Sequence, residues 1–205
     1  AWSEALTVDP TDAVSLYNLG VVRSARRDFD GALRCFTALL AEDGGHAAAW
    51  EQGGIAHLLN RDPGRARRWL GRALTAAPDR ESARYHLALA HAAAGEPDAA
   101  RAELERLVRV HPKSVRGCTD LGVFCLAAGE SETAETHLRR ALEEDPGAGK
   151  ARYYRAEALR ILGREGEARE EMERLAADGE GRYVERAAEW LGRRISPRDG
   201  AGPPS

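Results

Sequence analysis

The chain has few aromatic residues, almost no lysine and no long apolar run. Three Phe, four Trp and five Tyr in 205 residues leave Ala and Leu to carry most of a hydrophobic content of 43%. Such a core suits packed helices, because Ala and Leu are strong helix formers and Ala lets neighbouring backbones come close. Nothing approaches the roughly eighteen consecutive apolar residues of a transmembrane helix. Of 30 basic residues only Lys113 and Lys150 are lysines, and the 33 acidic residues are interspersed with the arginines, giving a net charge of -3. A concentrated basic footprint for nucleic acid is therefore missing. The three cysteines, Cys35, Cys118 and Cys125, are an odd number at no disulfide-scaffold spacing. On one helix Cys118 and Cys125 would stand two turns, about 10 Å, apart, beyond the reach of a bridge. They are expected as reduced core thiols, which favours a cytoplasmic compartment.

The usual catalytic signatures are also missing: there is no nucleophile elbow, phosphate loop, HExxH or CxxC. Carboxylates interleaved with arginines, as at Glu103 and Arg106, read as solvated helix faces. No catalytic residue, metal or cofactor is expected, and the chain does not read as an enzyme.

What the sequence does contain is a repeat. Ala32, Ala66, Ala100, Ala134 and Ala168 recur at a constant step of 34. After them come the apolar pairs Phe36 and Leu39, Leu70 and Ala73, Leu104 and Leu107, Leu138 and Ala141, Met172 and Leu175; twelve residues before them stand Gly20, Gly54, Ala88, Gly122 and Ala156. Pro10, Pro78, Pro112 and Pro146 punctuate the junctions. Small residues in these places let two helices of a hairpin approach closely. Gly95, Gly129 and Gly163 suit the left-handed end of a first helix, Pro63 and Pro97 the first position of a second helix, and Thr11 and Asp79 are candidate N-caps. First helices are predicted to start near residues 13, 47, 81, 115 and 149, and second helices near 29, 63, 97, 131 and 165.

This pattern resembles the tetratricopeptide repeat family, whose units carry Trp, Leu-Gly, Tyr, Ala, Phe, Ala and Pro at fixed offsets within 34 residues. The resemblance implies an all-α, right-handed superhelical solenoid of antiparallel hairpins, stabilised by stacking of neighbours. Units are placed at 13–46, 47–80, 81–114, 115–148 and 149–182, the fifth divergent because Arg152 and Arg155 replace the preferred Trp and Leu. Residues 1–12 fit the end of an upstream unit, with Trp2 in its Phe position. Residues 183–195 read as a capping helix with the stripe Tyr183, Val184, Ala187, Ala188, Leu191 and Ile195, and 196–205 as a disordered tail or linker.

By the same resemblance, first helices line a concave groove through their second, fifth, ninth, twelfth and thirteenth positions. These supply Tyr17, Tyr85 and Tyr153, an aliphatic row of Val21, Ile55, Leu89 and Val123, and also Leu58 and Leu126. Glu51 falls in the groove of the second unit, with Arg116, Lys150 and Arg160 toward the C-terminal end, where an acidic ligand feature would be oriented. Two explanations of the aliphatic row stand side by side: a surface awaiting an apolar partner, or packing shared between adjacent first helices. The family's two-carboxylate clamp for chaperone tails is not expected, since the required residues match only at Lys150 in units three to five. His57, His91 and Cys125 share one position in successive units, but about 10 Å between stacked helices is too wide for common metal ligation at about 2.0–2.3 Å.

The sequence thus points to a module that binds a peptide or helix of a protein partner in its groove, without nucleic acid or membrane insertion. Self-association or scaffolding through exposed repeat ends, with Trp2 at the N-terminal edge, and service as the regulatory arm of a larger enzyme remain alternatives.

Overall fold

The computed structural model describes residues 2, 7, 9–179 and 181–195. Among these the regular elements are helices, and there is no strand. The chain divides into two compact units, Ala1–His111 and Pro112–Ser205. The first contains α1 (Ala13–Ala25), α2 (Phe29–Glu42), α3 (Ala47–Leu59), α4 (Pro63–Ala76), α5 (Glu81–Ala93) and α6 (Pro97–Val110). The second contains α7 (Val115–Ala127), α8 (Ser131–Glu144), α9 (Gly149–Ile161), α10 (Glu165–Asp178) and α11 (Arg182–Ile195). All ten helix starts implied by the 34-residue step are observed at the residues named above. Consecutive helices pair as hairpins, and each second helix also packs on the first helix that follows it within its unit. The expected tail at 196–205 lies outside the described residues, and of the expected partial unit only Trp2, Thr7 and residues 9–12 are described.

Every first helix ends by the same local device. Gly95, Gly129 and Gly163 adopt φ of 76°, 81° and 76°, and the equivalent residues Arg27 and Arg61 adopt 64° and 60°. The next amide reaches back to the last turn in each case, Asp28 N to Arg23 O at 2.9 Å, Asp62 N to His57 O at 2.9 Å, Glu96 N to His91 O at 3.0 Å, Glu130 N to Cys125 O at 2.8 Å and Arg164 N to Leu159 O at 2.9 Å. This is the 6→1 bond of a Schellman cap. Pro63 and Pro97 open α4 and α6, where their missing N–H costs nothing. The N-caps differ from those expected. Asp12, not Thr11, accepts from Ser15 N at the start of α1, while Thr11 bonds to Asp9 Oδ1. Arg80, not Asp79, precedes α5 and makes no side-chain cap.

In the first unit, one cluster joins Leu16, Ala32, Cys35, Phe36, Leu39 and Ala49, and another joins Ala66, Leu70, Ala73, Ala83 and Ala90. Close approach within hairpins depends on missing side chains. A Cβ at Gly20 would fall 2.6 Å from Phe36, and one at Gly54 would fall 2.6 Å from Leu70. Gly53 makes room for a larger group, since its Cβ would lie 2.2 Å from the Trp69 ring, which also meets Trp50 and His57 edge-on at 4.8 and 5.3 Å between centroids.

In the second unit, Gly122 repeats the device against Leu138, at 2.5 Å from a Cβ. Ala156, Leu159, Ala168, Met172, Leu175, Tyr183 and Ala187 form a closed core, so the divergent last hairpin is fully packed. Helix α11 buries Tyr183 and Ala187 with Trp190 and Leu191 beside them, while Ala188 of the expected stripe is exposed.

The departure at Arg152 also has a structural reason. The fourth residue of a first helix donates to the carbonyl six residues earlier in four hairpins, through an indole, a thiol or a guanidinium. Trp50 Nε1 bonds to Gly44 O at 2.9 Å, Arg84 Nη2 to Pro78 O at 2.9 Å, Cys118 Sγ to Pro112 O at 3.7 Å and Arg152 Nη2 to Pro146 O at 2.6 Å. Arg152 therefore does what an indole does in α3, and its charge is met by Glu171 at 2.7 Å, a buried carboxylate that also accepts from Arg155 at 2.7 Å.

Candidate functional site

Helices α1, α3 and α5 lie side by side in the first unit, each flanked by its hairpin partner. Residues three, four and seven apart share a helix face, so Val14, Tyr17 and Val21 stand together on α1, Ile55, Leu58 and Leu59 on α3, and Tyr85 and Leu89 on α5. Tyr17, Val21, Ile55, Leu58, Tyr85 and Leu89 are all half-buried. Tyr17 and Val21 rest against the first core cluster and Leu58 against the second, which gives these side chains a fixed base and a solvent-facing edge. Val14 and Leu59 are 65% and 54% exposed. Tyr17 is further held by the rings of Phe36 and His46, at 6.2 and 5.7 Å. His46 is fixed in turn because its Nδ1 accepts from Ala49 N at 3.1 Å, capping α3.

Charge at this face is balanced internally. Glu51, expected as an open acidic group, is only 3% exposed, and its carboxylate accepts from Arg80 Nε at 2.6 Å. His86 folds back on its own helix, with Nδ1 2.8 Å from the carbonyl of Ser82. The face therefore offers aliphatic and phenolic surface backed by neutralised ions.

In the second unit α7, α9 and α11 are neighbours. Val123 and Leu126 are half-buried on α7, and Arg116 is exposed. The cations expected to orient an acidic ligand are engaged within the chain. Lys150 is ion-paired with Asp120, and Arg160 with Glu157 at 3.1 Å. Glu157 also accepts from Trp190 Nε1 of α11 at 2.7 Å. Tyr153 belongs to a ring cluster with Tyr154 and Tyr183, at 5.4 and 5.6 Å, and the Arg186 guanidinium of α11 sits 4.2 Å from its ring centre. Sequence periodicity placed Tyr153 with Tyr17 and Tyr85, but α11 partly covers it. The covering Arg186 lies 33 residues downstream in α11, which begins at the next 34-residue step, so periodicity placed the helix but gave no signal of this particular contact.

His57, His91 and Cys125 each have separate surroundings. His57 is buried against Trp69, and that burial lowers its pKa below the usual histidine value, with Arg65 and Arg68 adding to the effect and Asp62 opposing it. His91 Nδ1 lies 2.7 Å from Glu96 Oε2, a carboxylate held below its ordinary pKa by hydrogen bonds from His91 and Arg67. Cys125 is buried, as are Cys35 and Cys118, whose thiols are pushed up in pKa by burial. Among the described residues no three His, Cys, Asp or Glu side chains gather in a metal-binding arrangement, and no helix is long and apolar enough to cross a membrane.

Two family models, both described as tetratricopeptide repeat, match the chain, one over residues 57–117 and the other over residues 17–81 and 125–183. No curated protein sequence matches it. Among solved structures, it is similar to YrrB, described as a TPR protein with an unusual peptide-binding site, at a TM-score of 0.69 and 19% identity over 92% of this chain and 98% of that one. It is also similar to PilF of Pseudomonas aeruginosa, at a TM-score of 0.80 and 16% identity over 94% and 86% of the two chains. MamA superposes at a TM-score of 0.67 and 20% identity over 93% and 98%. Identities this low establish a shared fold. With family matches reaching from residue 17 to residue 183 and hairpins at the 34-residue step, the chain belongs to the tetratricopeptide repeat family, a fold of protein-interaction modules.

Proposed function

We propose that the protein holds a segment of a partner protein on the face formed by α1, α3 and α5, acting as a binding module rather than a catalyst. The observation that carries this reading is where large apolar side chains meet solvent. Val14 and Leu59 are exposed on that face, and Ile161, 56% exposed, stands on α9 at the position equivalent to Leu59. Exposed apolar surface gathered on equivalent faces of several elements marks an interaction site more often than scattered residues do. Tyr17 and Tyr85 add amphipathic rings that bring contact area with little loss of side-chain freedom. The peptide-binding site named for YrrB supports the same use of this fold. In the second unit Val123, Leu126 and Arg116 form a smaller surface; Lys150 is engaged with Asp120 of α7, Arg160 with Glu157 of its own helix, and Tyr153 with α11.

Site-specific photo-crosslinking tests the reading. A benzophenone amino acid replaces Ile55 on the proposed face, or Arg72 on the exposed side of α4, in the full chain. The expected result is a discrete protein adduct from position 55 that is lost when Leu89→Glu is added, with none from position 72. Adducts that form equally at both positions and ignore Leu89→Glu would overturn the proposal.

A further inference from the structure

Helix α4 differs in charge from the other second helices. Its 14 residues hold Arg65, Arg67, Arg68 and Arg72 and no Asp or Glu, whereas α2, α6, α8 and α10 each interleave both signs. Arg67 is ion-paired with Glu96 of the next hairpin. Arg65, Arg68 and Arg72, at steps of four and three, share one outer face, and Arg61 continues their spacing into the preceding turn; all four are exposed. Arg65 lies 3.4 Å from Asp62, the residue that caps the helix, while Arg61, Arg68 and Arg72 make no ion pair among the described residues. The repeat widens this stripe into a patch. Arg27 and Arg34 stand 34 residues before Arg61 and Arg68, at the same places of the preceding hairpin in the same compact unit, and both are exposed. Asp30, one turn before Arg34, offsets part of this charge. An arginine-rich composition does not account for the patch, because arginines equivalent to Arg72 in later hairpins are engaged. Arg106 meets Glu103 at 2.7 Å, Arg140 donates to the Pro112 carbonyl at 2.9 Å and Arg174 meets Glu170 at 3.6 Å. Stability does not account for it either: like charges three and four apart on a helix repel, and Arg65 sits at the positive end of the helix dipole.

We infer that this outer face of the first two hairpins adsorbs to an anionic phospholipid bilayer by electrostatic attraction, without insertion. Arginines at equivalent places of two hairpins spread over an area, which suits a plane of headgroups better than a single strand. The face is also open instead of cleft-like, since a Cβ at Gly71, beside Arg68 and Arg72, would meet nothing within 4 Å. Hydrated pairs between exposed arginines and the carboxylates of one acidic segment contribute little. A charged bilayer attracts every cation within a Debye length at once and needs no desolvated pocket. The large exposed apolar side chains Trp2, Val14, Leu59, Val110 and Ile161 all lie outside α2 and α4, so this face carries no such group to enter hydrocarbon. Trp69, the ring of α4, is packed edge-on against Trp50, so single-stranded nucleic acid would find no stacking platform there.

The test is co-sedimentation of the full chain with phosphatidylcholine vesicles, with or without phosphatidylserine, at about 0.1 M and about 1 M salt, where the Debye length is about 10 Å and about 3 Å. The expected result is binding only to vesicles that contain phosphatidylserine, and only at the lower salt. Arg68→Gln combined with Arg72→Gln should weaken that binding about tenfold or more without lowering the denaturant midpoint. Arg169→Gln combined with Arg174→Gln makes the same change in net charge on α10 and should bind as the unaltered chain does. Binding that is absent, or equal for neutral and anionic vesicles, would overturn the inference, as would equal losses in the two double variants. Capture of poly-glutamate or duplex DNA at the lower salt by a chain that leaves the anionic vesicles free would also overturn it, by assigning the patch to another polyanion.

Discussion

Arg27 and Arg61 carry a conformation that three of their counterparts leave to glycine. Their φ angles of 64° and 60° match the 76° to 81° of Gly95, Gly129 and Gly163, and a residue with a Cβ costs about 1 kcal/mol in that region. Arg61→Gly is expected to raise unfolding free energy by about 0.5–1 kcal/mol, read as a shift in denaturant midpoint. Arg27→Gly should gain less, because its guanidinium lies 5.9 Å from the Phe29 ring and that contact would be lost. The glycines announced this turn in the sequence, whereas an arginine in the same place gave no local signal. Position 57 offers a second test. Because burial lowers the pKa of His57, the unfolded chain takes up its proton first as pH falls, so native stability drops below the unfolded pKa of about 6.5. Between about pH 6.5 and 5 the denaturant midpoint should therefore fall, and His57→Gln should remove part of that fall. Equal slopes for the two proteins would mean that His57 does not contribute.

Within single elements, much of the architecture was legible and much of the pairing was not. The 34-residue step located all ten helix starts because apolar spacing, prolines and turn glycines act locally. Two of the ion pairs that neutralise the expected groove charges join residues about thirty positions apart, Glu51 with Arg80 and Asp120 with Lys150, and periodicity carries no information about such partners, whereas Arg160 is met locally by Glu157 three residues before it. The same holds for volume exchange inside a hairpin. The first hairpin places Leu19 and Cys35 where the second has Gly53 and Trp69. Gly53→Leu should thus overpack against Trp69 and lower stability by about 1–3 kcal/mol. Adding Trp69→Cys should recover most of that loss, since the pair then matches the first hairpin. Calorimetric unfolding of the single and double variants checks this, and a double variant no more stable than Gly53→Leu alone would refute the exchange.

At the scale of the whole molecule, the resemblance in the sequence led to the right fold family, and it implied first helices as the binding elements. It treated all their outward residues alike. The structure separates them: Tyr17, Val21, Ile55, Leu58, Tyr85 and Leu89 border an apolar, charge-balanced face in the first unit, while in the second α11 draws Tyr153 and Glu157 into its own contacts. What the repeat pattern left open was whether the aliphatic row is surface or packing, because half-buried residues satisfy both descriptions. Substituting one residue of that row and reading stability and binding together decides between them. Leu89→Ala in the full chain is to be compared with the unaltered protein in unfolding free energy and in affinity for the partner segment crosslinked at position 55. The account predicts a stability loss of about 1 kcal/mol or less together with a binding loss of about 1–4 kcal/mol. A stability loss of about 2–5 kcal/mol, the cost of truncating a core leucine, with affinity unchanged would contradict it.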